Sequence, residues 1–91
     1  MVAYSFESMR VRVLYFGVLK EIFGREHEVV ELAEGADVAG LLAMFRERGR
    51  APRSLWESLA VAVNQEYARA GDLLHEGDEV ALLPPVSGGV A

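Results

Sequence analysis

Arg10-Val11-Arg12-Val13-Leu14-Tyr15-Phe16 begins as an alternation of basic and β-branched residues, a period of two. That period predicts a strand with one buried face. Gly17 breaks it, and Val18 to Phe23 reads as a short helix closed by Gly24, a fitting residue just past a helix end. His27-Glu28-Val29-Val30-Glu31-Leu32 is a second strand, with Val30 and Leu32 inward if one face is buried. Two strands joined by so short a link form most simply an antiparallel hairpin. After the turn Ala33-Glu34-Gly35-Ala36, Asp37 can cap a helix by accepting amide protons of its first turn. Val38, Leu41, Leu42 and Phe45 then fall at i, i+3, i+4 and i+7, the apolar stripe of a helix lying on a sheet. Gly49 ends that helix, and Pro52 opens a shorter one through Leu55 and Trp56.

The remaining pattern is all strand and turn. Leu59 to Val63 is apolar and β-prone, Asn64 to Tyr67 reads as a turn and a short strand, and Leu73-Leu74 follows. Gly77-Asp78 turns tightly into a last strand, Glu79 to Leu83, which Pro84-Pro85 stops because proline cannot donate to a ladder. The order is strand, strand, long helix, short helix and three short strands. This predicts an α+β domain, a sheet with its helices on one face. The domain is expected to begin at Met9 and run to residue 91, with residues 1–8 as an N-terminal arm and residues 84–91 as a flexible tail.

A chain of 91 residues is one small domain, with 52% hydrophobic and 25% charged residues, an ordinary globular balance. The absence of cysteine excludes disulfide scaffolds, thiolate metal sites and cysteine nucleophiles. Nine Lys and Arg against fourteen Asp and Glu leave a net charge of −5, so neither nucleic acid nor an anionic membrane is an expected partner. No apolar run approaches the roughly 20 residues that a membrane span needs, and residues 1–8 do not read as a secretory signal. A cytoplasmic domain is the expectation.

No side chain in the sequence stands in a pattern that calls for catalysis or metal binding. His27 and His75 have no partners at ligand spacing, so no metal site is expected. Glu76, Asp78 and Glu79 read as solvated turn carboxylates, since a calcium loop needs a longer pattern of ligands. Ser54, Ser58 and Ser87 lack the setting of a nucleophile. Arg46, Arg48, Arg50 and Arg53 gather near the end of the main helix, where cations suit the helix dipole; an acidic protein partner is the alternative. Trp56 reads as core, and Asn64-Gln65 as a turn between two strands. The end of the chain is harder to explain as mere surface. Pro84-Pro85 stiffens the exit from the last strand, while Gly88-Gly89 strips the tip of side chains. From Pro85 to Gly89 such a tip reaches about 15 Å and can thread a channel too narrow for a Cβ.

The segments Ala62-Val63-Asn64-Gln65 and Gly77-Asp78-Glu79-Val80-Ala81-Leu82-Leu83-Pro84-Pro85-Val86-Ser87-Gly88-Gly89 resemble the MoaD family, the small subunits of molybdopterin synthase. The likeness extends from Met9 to Gly89; the thiamine sulfur carrier ThiS and ubiquitin-related modifiers are similar in fold and in the Gly-Gly pair. The resemblance implies a ubiquitin-like β-grasp, a mixed sheet of about five strands. It also implies a sulfur carrier that lacks catalytic side chains of its own and binds no cofactor tightly. An E1-like adenylating enzyme would activate the Gly89 carboxylate with ATP, and a sulfur donor protein would supply the sulfur of a thiocarboxylate. The tail, with Gly88 beside the reacting residue, would then enter the large subunit and donate that sulfur to cyclic pyranopterin monophosphate. Leu83, Tyr67, Pro84, Pro85 and Val86 would touch the partners. Alternation from Val80 and Leu82 inward already turns Ala81 and Leu83 outward, and Leu83 and Tyr67 are expected to share one apolar patch. One feature departs from the family: Val90-Ala91 follow Gly89, which as written carries no free carboxylate; either a peptidase trims them, as the resemblance to carriers with short extensions implies, or this copy has lost the chemistry. A carrier for thiamine or another sulfur product, and a modifier or interaction module without sulfur transfer, are the alternative readings.

Overall fold

The computed structural model describes residues 8–49 and 51–85. Its elements are β1 (Ser8–Tyr15), α1 (Val18–Phe23), β2 (His27–Ala33), α2 (Val38–Glu47), α3 (Arg53–Glu57), β3 (Ala60–Val63), β4 (Glu66–Tyr67) and β5 (Glu79–Leu83). They follow the expected order. Ser8 belongs to β1, paired with Ala33 and donating its hydroxyl to Glu31 at 3.0 Å, so the strand starts one residue before the expected boundary at Met9. Residues 1–7 of the arm expected over 1–8, residues 86–91 of the tail expected over 84–91, and Arg50 lie outside the described residues.

The strands form one mixed sheet in the order β2-β1-β5-β3-β4, with β1 and β5 parallel and every other neighbouring pair antiparallel. Alternation decides which face is buried. Met9, Val11, Val13 and Tyr15 of β1 point inward, together with Val30 and Leu32 of β2 and Val80 and Leu82 of β5. Leu19, Val38, Leu41, Phe45 and Trp56 from the three helices close over them, so all helices cover the same face. Leu42, the fourth member of the predicted stripe, is only half-buried at the edge of this layer. Aromatic rings carry much of the packing: Tyr15 stacks on Phe23 at 4.6 Å between centroids, and Phe45 stacks on Trp56 at 6.0 Å.

Caps and turns account for the backbone polar groups that the ladders leave over. Asp37 caps α2 as expected, its Oδ1 accepting the Gly40 amide at 2.8 Å. The two preceding amides go elsewhere: Val38 donates to the carbonyl of Asp72 and Ala39 to that of Ala70. The stretch around Leu73 thus braces the helix start, and it forms a single bridge to Asp37 rather than a strand. Asn64 and Gln65, both at positive φ (52° and 73°), make the tight turn between β3 and β4. The acidic turn refines the sequence reading: Glu76 is exposed as expected, yet the carboxylates of Glu76 and Asp78 also hold neighbouring polar groups in place. Asp78 accepts from the Asn64 side-chain amide at 3.0 Å and from the His75 backbone at 2.8 Å, while Glu76 accepts the Arg10 amide at 2.8 Å. The turn brings backbone N–H groups together at the start of β5, and acceptors must meet them there.

A polar knot pins the hairpin to the end of α2. The Tyr15 hydroxyl donates to Glu28, and Glu28 also accepts from Arg48 at 2.8 Å and from Arg25 at 3.1 Å. Arg48 lies over the Phe45 ring, 4.7 Å from its centroid, so this cation is committed to the fold rather than to a free basic patch. Arg53 faces Glu57 at 3.9 Å. Burial pushes the Tyr15 phenol well above its usual range, reinforced by its hydrogen bond to Glu28 and by that carboxylate's charge. For Glu28, burial works the other way and favours the neutral acid. Hydrogen bonds from Tyr15 and Arg48, with the two guanidinium charges, outweigh it and hold the carboxyl below its ordinary value. A depressed folded-state pKa stabilises the fold above the unfolded value of 4.5 and loses that contribution as pH falls through the folded value. Glu28→Gln should therefore cost about 1–3 kcal/mol at neutral pH. The gap in Tm between variant and parent should close as the pH is lowered beneath 4.5, which thermal unfolding over a pH series measures directly.

Candidate functional site

The end of β5 is where the sequence placed its chemistry, and the fold builds an apolar groove there. Val80 and Leu82 are fully buried, so Leu83 emerges on the opposite face of the sheet, half-buried and paired in register with Ala60. Tyr67, 82% exposed, stands on the short edge strand β4, beyond β3, just after the β3–β4 turn. Phe16 and Val18 rise from the link between β1 and α1, and both are exposed although nothing in their polarity favours water. Leu83, Tyr67, Pro84 and Pro85 line one groove with Phe16 and Val18. The structure thus brings together four of the expected contact residues, Leu83, Tyr67, Pro84 and Pro85. Val86, Gly88 and Gly89 lie outside the described residues.

Phe16 and Val18 were not singled out from the sequence. The signal was present: Leu14-Tyr15-Phe16 is a run of three large apolar residues that breaks the alternation of β1, and Phe16 falls just past Tyr15, the last position of the strand that the core uses. Gly17, read only as a strand breaker, has a sharper role. Its φ of 57° with ψ of −135° is a conformation that L side chains avoid, and a Cβ there would stand 3.1 Å from Pro84 Cγ. The glycine is the seat on which the first proline of the exit rests. Ser58, also at the groove, donates its hydroxyl to the Ser54 carbonyl at 2.9 Å and acts as a helix-end cap. His75 is exposed, with Nδ1 3.8 Å from Asp78, and His27 is exposed on β2. Among the described residues no group of three His, Asp or Glu side chains stands close enough to hold a metal ion. The groove can hold an apolar partner surface and set the direction of the tail. The side-chain hydroxyls among its described lining residues are those of Ser58, donated to the Ser54 carbonyl, and of the exposed Tyr67.

Gly17→Ala should lower stability by about 1–3 kcal/mol, the usual cost of forcing a side chain into such a conformation. It should also displace Pro84, seen as shifted amide resonances from Leu82 to Pro85's neighbours. Gly24→Ala is the control, because Gly24 also has a positive φ, 70°, but nothing lies within 4 Å of an added Cβ. It should lower Tm without touching the exit.

Comparison with known proteins agrees with this fold. The model of the ThiS family matches residues 13–89, a span that ends at the second glycine of the tail. The molybdopterin synthase sulfur carrier subunit of Chlamydomonas reinhardtii is 41% identical over 83 residues, covering 89% of this chain and all of the relative. Subunits 1 and 2 of the molybdopterin-converting factor of Helicobacter pylori have been solved as a complex, and one chain of it superposes with a TM-score of 0.65 at 29% identity, covering 89% of this chain and 100% of its own length. SAMP1 of Haloferax volcanii superposes with a TM-score of 0.75 at 28% identity, covering 88% of this chain and 99% of its own. The chain therefore belongs to the ThiS family of ubiquitin-like β-grasp proteins, in its MoaD group.

Proposed function

We propose that this chain is the sulfur-carrier small subunit of a molybdopterin synthase. The observation that supports the reading best is the convergence at the end of β5: an exposed apolar groove, a proline pair braced on Gly17, and a Gly-Gly sequence four residues further on. A relative named as a sulfur carrier subunit, similar over its full length, points the same way, as does the solved complex of two converting-factor subunits. The large synthase subunit would be the partner of the groove.

The chemistry follows from what a carboxylate lacks. A free carboxylate is a poor electrophile, so an E1-like adenylating enzyme would first transfer AMP from ATP to the Gly89 carboxylate, releasing pyrophosphate. Sulfur from a donor protein would then displace AMP and leave a thiocarboxylate at Gly89. Inside the large subunit this group would give its sulfur to cyclic pyranopterin monophosphate. The carrier's part is positional: docking through the groove turns a bimolecular encounter into a held one. Gly88 leaves the channel free of a side chain beside the reacting carbonyl. Because Val90-Ala91 follow in this sequence, hydrolysis of the Gly89–Val90 bond must precede activation. A second reading is favoured by the likeness to SAMP1, a small archaeal modifier protein: conjugation through Gly89 to lysines of other proteins. A carrier for thiamine sulfur remains the third.

Two measurements test the proposal. Leu83→Asp should weaken the complex with the large subunit by about 2–4 kcal/mol, as expected for a buried interface anchor, while Tm stays nearly unchanged. A large fall in Tm with docking intact would assign Leu83 to the core instead. Chains ending at Gly89 and at Ala91 should then be compared with the E1-like enzyme, ATP and a sulfur source, following pyrophosphate release and intact mass. Only the chain ending at Gly89 should react and gain one sulfur in place of one oxygen. Equal reaction of both, with no protease present, overturns the terminal-glycine mechanism, and isopeptide adducts on other proteins select the modifier reading.

A further inference from the structure

The two edges of the sheet are unequal. β4 contributes only Glu66–Tyr67 and exposes little of a ladder. β2 runs seven residues without proline or lysine, and its register against β1 is continuous from Ala33 to His27, without a bulge. Of the devices by which an edge is usually blunted, β2 lacks proline, lysine and a bulge; its charges are Glu28, committed on the inner face to Tyr15 and Arg48, and Glu31 on the outer face.

The hydrogen-bond phase fixes which groups this edge presents. The Tyr15 amide donates to the Glu26 carbonyl at 2.8 Å, so the β1–β2 register turns the amides and carbonyls of Glu28, Val30 and Leu32 toward β1. Those of His27, Val29 and Glu31 point away from the sheet. The side chains of these three lie on the face opposite the helices, and Val29 is 61% exposed, an apolar residue with no role in the core.

We propose that β2 is a self-association edge, pairing antiparallel with β2 of a second copy about a two-fold axis through Val29. In that register Val29 meets Val29 of the other copy, and His27 faces Glu31 on both sides of the axis. Each of these pairs is in phase to exchange two backbone hydrogen bonds. An imidazole N–H opposite a carboxylate is a donor meeting an acceptor, and the Ser8 hydroxyl at 3.0 Å already orients Glu31. Shifting the register sets Val29 against a polar residue, and centring the axis on Glu31 sets carboxylate against carboxylate. Only the Val29-centred arrangement matches like with like on the axis and opposites beside it. One edge strand buries less than the roughly 1,000 Å² of a stable interface, so the dimer is weak and concentration-dependent. β2 lines no part of the exit groove, so both copies keep their grooves open to partners.

The test uses the full chain from micromolar to millimolar concentration, by sedimentation equilibrium and amide hydrogen exchange. A monomer–dimer equilibrium is expected in which the amides of His27, Val29 and Glu31 gain protection with concentration, while those of Glu28, Val30 and Leu32 are protected throughout. Val29→Lys should raise the dissociation constant by at least ~10-fold, given the repulsion of like charges on the axis, with Tm unchanged. Glu31→Lys should weaken the dimer as well, and adding His27→Glu to that chain should restore it, which separates pairing from any loss of fold. A monomer at every concentration overturns the proposal. So does a dimer insensitive to Val29→Lys, one whose protection falls on Phe16, Tyr67 and Leu83, or protection of β2 that arises only when the large subunit is added.

Discussion

Parallel pairing of β1 with β5 at the centre of the sheet constrains the rest of the molecule. Parallel neighbours cannot be joined by a tight turn, so the chain must cross over between them. The crossover carries β2, the small β3–β4 hairpin and all three helices, α1, α2 and α3, and so supplies the whole helical layer that covers the core. The same pairing sets where the chain leaves. Tyr15 lies opposite Leu82, so the residues just beyond each strand, Gly17 on one and Pro84 on the other, arrive side by side. The groove at the exit is thus a product of strand register before it is a product of surface composition.

Much of this was legible in the sequence because it is local. The alternation in β1, the i, i+3, i+4, i+7 stripe of α2, the Asp37 cap and the Gly24 stop each depend on neighbours within a few residues, and each element formed where its pattern stood. Strand order is a different matter. Nothing within Glu79 to Leu83 says that its partners are β1 and β3, and periodicity carries no record of which strand sits in the middle. The same limit explains the acidic turn. Glu76 and Asp78 look solvated when read beside their chain neighbours, and the amides they accept, Arg10 from across the sheet and His75 from within the turn, are set by the tertiary arrangement. Tyr15, Glu28 and Arg48 are far apart in sequence and become a unit only when the hairpin meets the end of α2.

Of the candidate site, the outward turn of Leu83 followed from alternation, and its meeting with Tyr67 came from the family resemblance. Phe16 and Gly17 escaped notice because their importance lies in what stands opposite them. A breaker glycine and a seat for a proline look identical in one dimension. The conformation of Gly17 and the proximity of Pro84 tell them apart.

The position of the exit also has a mechanical side. The tail is attached to β5, which is flanked by β1 on one side and β3 on the other, rather than to an edge strand. Tension applied at the tail pulls along the axis of β5, and the inter-strand hydrogen bonds lie across that axis. Both ladders are then loaded in shear, with all of their bonds sharing the force at once, instead of opening one after another as a peeled edge does. A partner that draws the tail deep into a channel can pull on this domain without unravelling it.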